Sequence, residues 1–118
     1  MNKIWFLSTC DTCKRILDGL GGRETLEKRG FEFHDLKNNP ISKEELEMIQ
    51  EGSEMSYEEL FNKRSRQYSK DMFSKDEEFK QGILEEYTFL KRPIISHGKK
   101  FFVGNSKKVV EEAKENIL

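Results

Sequence analysis

Residues 4–13 read Ile-Trp-Phe-Leu-Ser-Thr-Cys-Asp-Thr-Cys, and this stretch constrains the fold more than any other in the chain. Four apolar residues are too few for a helix and suit a buried strand. The Ser8-Thr9 pair that follows supplies the hydroxyls typical of a helix start. From Cys13 onward, Ile16, Leu17, Leu20 and Leu26 keep roughly helical spacing, while Gly19, Gly21 and Gly22 predict a break near residues 21–22. Phe31-Glu32-Phe33-His34-Asp35 then alternates with period two, as a half-buried strand does, and Asn38-Asn39-Pro40 closes it with turn chemistry. The chain therefore opens as β-α-β, with a pair of cysteines at the first strand-to-helix turn.

Serines followed three residues later by glutamates, Ser42 with Glu45, Ser56 with Glu59 and Ser74 with Glu77, predict three capped helix starts and a middle that is helical throughout. Leu46 and Ile49, then Tyr57, Leu60 and Phe61, then Phe79, Ile83, Leu84 and Tyr87 provide their apolar faces. Ile94-Ile95 and Phe101-Phe102-Val103 flank Ser96-His97-Gly98-Lys99, a hairpin pattern. Asn105-Ser106 caps a last helix with Val109, Val110, Ala113 and Ile117 on one face. With only Pro40 and Pro93 as prolines and no repeat or linker, the expectation is one α/β domain over residues 1–118, ordered β-α-β, helices, β-β-α.

Charge narrows the function classes. Twenty-one Lys and Arg against 22 Asp and Glu leave a net charge of −1, which gives no overall positive field for coating nucleic acid. No apolar run approaches the ~20 residues of a membrane span. The opening MNKIWFLSTC, with one Lys and a strand-length apolar run, does not fit a signal peptide, so a cytoplasmic location without membrane or direct nucleic-acid partners is expected.

Two cysteines, Cys10 and Cys13, are too few for a secreted disulfide framework. Zinc would need two further ligands, for which only His34 and His97 remain besides carboxylates, and no metal site is assigned. A CxxC pair between a strand and a helix instead points to thiol redox chemistry. Cys10 stands at the positive end of the helix, where free N–H groups and the following Lys14 and Arg15 favour thiolate and make it the expected nucleophile. Cys13, one turn inside, is the expected resolving thiol. Two further constellations are Lys91-Arg92-Pro93, where a proline leads a strand and a cis peptide would turn Arg92 toward a neighbouring loop, and Lys63-Arg64-Ser65-Arg66. The second reads either as a solvated charge run or as guanidinium groups presented to an oxyanion.

Four segments together resemble the arsenate reductase (ArsC) family of glutaredoxin-like proteins, including its Spx-type branch of redox-responsive transcription regulators. They are Cys10-Asp11-Thr12-Cys13-Lys14, Asp35-Leu36-Lys37, Leu60-Phe61-Asn62-Lys63-Arg64-Ser65, and Arg92-Pro93-Ile94-Ile95 with Val103-Gly104. The resemblance implies a thioredoxin/glutaredoxin-like mixed sheet with a helical insertion over residues 42–87. It also implies reduction of arsenate to arsenite by the Cys10 thiolate, with Arg92 beside a cis Pro93, whereas the second thiol, Cys13, departs from the glutathione-coupled reductases. Arg64, Arg92, Lys14 and Thr12 would hold a small oxyanion. No cofactor would be bound, and glutathione with glutaredoxin, or thioredoxin, would supply electrons. A further arginine that reductase members carry near the end of the last hairpin is replaced here by Val103-Gly104, and the CxxC resembles that of the Spx branch. The alternative implied is a redox-sensing regulator that binds the RNA polymerase alpha subunit under control of a Cys10–Cys13 disulfide. The ending Glu111-Glu112-Ala113-Lys114-Glu115-Asn116-Ile117-Leu118 is a mixed-charge helix where that branch has a basic tail.

Overall fold

The computed structural model describes all 118 residues, which fall into two compact units, Met1–Asn39 with Arg92–Leu118, and Pro40–Lys91. In the first, strand β1 (Asn2–Phe6) runs parallel to β2 (Glu32–Asp35) and antiparallel to β3 (Ile94–His97), which pairs with β4 (Lys100–Val103), giving the order β2-β1-β3-β4. This is the expected mixed sheet of β-α-β and β-β-α halves. Two parallel strands cannot be joined by a tight turn. The crossover here is made by α1 (Asp11–Gly19) and α2 (Gly22–Lys28).

Alternation along the strands assigns Ile4, Ile95 and Phe102 to one sheet face, where they pack with Ile16, Leu17, Leu20 and Leu26 of the crossover and Ala113 and Ile117 of α6 (Lys107–Ile117). Trp5 and Ile94, next in register on the opposite face, have no exposed surface. The expected break between α1 and α2 is present. Gly21 adopts φ +111° and Gly22 φ +85°, a left-handed backbone that residues with a Cβ avoid. The hairpin and last helix also form as expected, with Ser106 Oγ accepting from the Val109 N–H at 3.2 Å.

The second unit comprises α3 (Lys43–Ser53), α4 (Tyr57–Leu60), α5 (Asp76–Glu85) and a 3-10 turn (Tyr87–Phe89). Ser42 and Ser56 cap α3 and α4 as expected, Ser56 in a full box in which the Glu59 carboxylate accepts from the Ser56 N–H at 2.9 Å. Two expectations are corrected. The middle is not helical throughout, because residues 62–75 are turns and bends, and Phe61 leaves α4 to form an isolated bridge with Leu90. The third capped start is displaced by one residue. Lys75 takes the N-cap position, and Glu78 rather than Glu77 reaches back, accepting from the N–H of Lys75 at 2.9 Å and of Ser74 at 3.2 Å. Glu86 takes an extended backbone that ends α5, and Tyr87 lies beyond it in the 3-10 turn.

What orders the turn-rich stretch is aromatic packing. The Phe61 ring is surrounded by Tyr68, Phe73, Phe79 and Phe89 at centroid separations of 4.7 to 5.8 Å. Gly82 makes room for it, since a Cβ there would stand 2.8 Å from Phe73 Cζ. Asp76 adds a polar clamp, its carboxylate accepting from the N–H of Tyr57 at 3.2 Å and of Glu58 at 2.9 Å at the start of α4. Lys80, only 8% exposed, pairs with Glu47 at 2.8 Å and lies over the Tyr57 ring.

Candidate functional site

The site begins where β1 runs out. Leu7 O accepts from the Cys10 N–H at 3.0 Å, closing a tight turn that delivers Cys10 to the N-cap of α1. An N-cap residue ordinarily offers a side-chain oxygen to the orphan N–H groups of the first turn. Here sulfur takes that role, with Cys10 Sγ accepting from the Cys13 N–H at 3.4 Å. A negative sulfur is a better acceptor than a thiol, so the bond favours ionisation.

Burial raises the Cys10 pKa, but hydrogen bonding from the Cys13 N–H, contact with the Cys13 side chain, the positive charge of Arg92 and the Thr12 N–H outweigh it. The thiol is held below its ordinary value of 9.0. Cys13 behaves oppositely. It has no exposed surface, and burial, reinforced by the neighbouring Cys10, pushes its pKa up to about 12 despite opposing contributions from Leu7 and Arg92. Two thiols one helical turn apart are thus driven in opposite directions, the half-exposed one toward thiolate and the enclosed one toward thiol. Both are reduced.

Arg92 reaches this site from the other half of the sequence. It precedes Pro93 through a cis peptide bond immediately before β3, and Gly104 donates to Pro93 O at 2.9 Å, tying that bend to the end of β4. Lys14 and Arg15, adjacent to the CxxC in sequence, are exposed on α1. Thr12 is half-buried, and besides its N–H toward Cys10 it lines, with Arg15, Ile16, Asn105, Val110 and Lys114, an open cleft of about 270 Å³ between α1 and α6. Cys10, Cys13, Thr12, Lys14, Arg92 and Pro93 therefore all belong to the first unit. Arg64 belongs to the second, where it is exposed and its N–H donates to Asn62 Oδ1 at 3.2 Å. No group of His, Cys, Asp and Glu is arranged to hold a metal.

Sequence reasoning gave no role to Asp35, although it flagged the Asp35-Leu36-Lys37 segment. The Asp35 carboxylate accepts from the N–H of Ser8 at 3.1 Å, just ahead of the cysteine turn, and from Lys37 N–H and Asn38 Nδ2. Nor did it find the cleft, whose walls come from helices at opposite ends of the chain.

The model of the ArsC family matches residues 6–113. Over 104 residues the chain is 31% identical to the global transcriptional regulator Spx of Streptococcus agalactiae, an alignment that takes in 84% of this chain and 73% of that protein. Among solved structures, the YFFB protein superposes with a TM-score of 0.75 at 17% identity over the full length of both chains. An arsenate reductase (ArsC) related protein from Brucella melitensis gives 0.64 at 24% identity, covering 94% of this chain and 92% of that one. At those identities the superpositions establish the thioredoxin-like fold. No helix is long and apolar enough to cross a membrane. The family match over nearly all of the chain and the Spx identity, carried on this sheet and this cysteine turn, establish that the protein belongs to the ArsC family.

Proposed function

We propose that this protein is a thiol-dependent reductase of a small oxyanion, arsenate being the first candidate, with Cys10 as nucleophile and Cys13 as resolving thiol. The observation that carries the reading is the opposite tuning of the two sulfurs: Cys10 at the N-cap of α1 beside Arg92, and Cys13 enclosed behind it.

In the first step the Cys10 thiolate bonds to arsenic while one arsenate hydroxyl takes up a proton from solvent and leaves as water. The Arg92 guanidinium offsets the repulsion between thiolate and oxyanion and offers a planar fork of donors to the oxygens. Lys14 and the Thr12 hydroxyl are further groups at the same turn able to meet them. In the second step a thiol attacks Cys10 Sγ, and the S–As bond breaks with its electron pair passing to arsenic, which departs as arsenite. The two sulfurs are left as a disulfide. Cys13, one helical turn from Cys10 and enclosed behind it, is the thiol of this chain placed to make that attack. Glutathione with glutaredoxin, or thioredoxin, then reduces the disulfide.

The test is arsenite formation from arsenate by the purified protein, supplied separately with glutathione plus glutaredoxin and with thioredoxin. Turnover with either system that disappears in Cys10→Ser supports the reading, and turnover with neither overturns it. A second reading, redox control of transcription, is favoured by the 31% identity to Spx. It predicts capture of the RNA polymerase alpha subunit in a manner that depends on the Cys10–Cys13 redox state, with no arsenite formed.

A further inference from the structure

The carboxylate of Asp35 joins two loops that the sequence keeps far apart. Parallel pairing of β1 with β2 places Asp35 opposite Phe6, and the Leu36 N–H donates to Phe6 O at 2.8 Å, so the two strands end together. From that end Asp35 Oδ1 accepts from the Ser8 N–H at 3.1 Å and from the Lys37 N–H at 3.1 Å, while Oδ2 accepts from Asn38 Nδ2 at 3.0 Å. Ser8 lies inside the turn closed by the bond from Cys10 N–H to Leu7 O. A carboxylate accepting main-chain N–H bonds at charge-assisted strength fixes the donors it holds. The turn carrying the nucleophile is therefore fastened to the end of the sheet through Ser8, whose N–H and side chain both bond the carboxylate, two residues before Cys10. Asp35's own turn is tightened as well, by Asn39 N–H on Asp35 O at 3.0 Å and by His34 Nε2 against Asn39 O at 2.7 Å.

We propose that Asp35 is a positioning residue for the Cys10 thiolate. By holding Ser8 it keeps the turn in the geometry that lets Cys10 Sγ accept from the first-turn N–H groups of α1. This rests on the reading of Cys10 as the nucleophile. Charge and geometry act in opposite senses on the sulfur. A negative carboxylate near the turn by itself disfavours thiolate, so deleting its charge alone would lower the Cys10 titration midpoint. Loosening the turn weakens the bond from Cys13 N–H to Cys10 Sγ and raises it. Asp35→Asn removes the charge and keeps an oxygen for the Ser8 N–H, whereas Asp35→Ala removes both, and the two variants separate the effects.

The experiment is the pH profile of iodoacetamide alkylation at Cys10, resolved from Cys13 by mass spectrometry, in the wild type and both variants. The Asp35→Ala midpoint is expected above wild type, with alkylation at neutral pH slowed about three- to tenfold. Asp35→Asn is expected to restore the midpoint to wild type or slightly below. An Asp35→Ala midpoint equal to or lower than wild type overturns the proposal. Should Asp35→Ala fail to fold, hydrogen exchange in the wild type decides: the amide of the exposed Ser8 is expected to be protected, and free exchange there overturns the proposal. If the wild type itself shows no preference for Cys10, the nucleophile reading has failed, while protection of the Ser8 amide still reports on the clamp.

Discussion

In the unit that carries the cysteines, the core is a layer of mainly aliphatic side chains on regular elements, Ile4 and Ile95 from neighbouring strands, Leu17, Leu20 and Leu26 from the crossover helices, and Ile117 from α6, with Phe31 and Phe102 among them. Pro40–Lys91 is organised differently. Nearly half of it lies outside helices, and its turns are held by rings gathered on Phe61, with polar clamps from Asp76 and Glu78 at the helix starts. Where elements are regular, stability spreads over many similar contacts and the backbone beneath a loop is held at several points, which is what a tuned thiolate needs. Where it is gathered on one ring, a single truncation removes much of it.

That contrast can be broken most sharply at its centre. Phe61→Ala leaves a void that four aromatic rings cannot readily fill, and the expected loss is about 3 to 5 kcal/mol in urea unfolding. A loss below about 1 kcal/mol would mean that the cluster is not what holds the second unit. On the other side, the sheet unit is expected to be tuned for chemistry through Arg92. Arg92→Lys keeps the charge and loses the planar fork, and it should remove about 2 to 4 kcal/mol of transition-state stabilisation, roughly 30- to 1000-fold in arsenate turnover. Equal turnover by the two proteins would place oxyanion binding elsewhere.

The enclosed thiol gives a linkage effect. The Cys13 pKa is about 12 in the fold against an ordinary 9.0. Below pH 9 both states hold the proton and the stabilisation is fully present. Between pH 9 and about 12 only the folded state keeps it, so stability falls as pH rises. Denaturant melts over that range should show wild type losing stability more steeply than Cys13→Ala, and parallel curves would contradict the burial of this sulfur. The smallest effect is expected at Ser56. Removing the N-cap hydroxyl of α4 by Ser56→Ala should cost about 1 kcal/mol, and the Glu59 carboxylate alone should not compensate.

How legible this was in the sequence follows the same division. The first strand, the CxxC turn, the break at Gly21-Gly22 and the final hairpin were readable because each is announced by local periodicity or by glycine chemistry. Residues 62–75 were not. Their helix-compatible composition hides the fact that Phe61, Tyr68 and Phe73 converge with Phe79 and Phe89, a non-local arrangement with no period. The slip from Glu77 to Glu78 has a local cause. A serine three residues before a glutamate is a statistical signature, but the backbone makes Lys75 the N-cap and leaves Ser74 one residue outside, where its hydroxyl bonds Glu78 at 3.0 Å. At the site, the two cysteines and Arg92 were visible as motifs. The grip of Asp35 on Ser8 was not, because it exists only once β2 lies beside β1.

Two cysteines one turn apart have their thiol pKa values displaced in opposite directions, and rate-resolved alkylation of the reduced, folded protein across pH 5 to 11 reads both at once. Peptide mass spectrometry would assign each label. Cys10 is expected to react first and with a midpoint below 9.0, while Cys13 stays unlabelled until the solution is strongly alkaline. Labelling of Cys13 at a rate equal to or faster than that of Cys10 near neutral pH would contradict the assignment of nucleophile and resolving thiol.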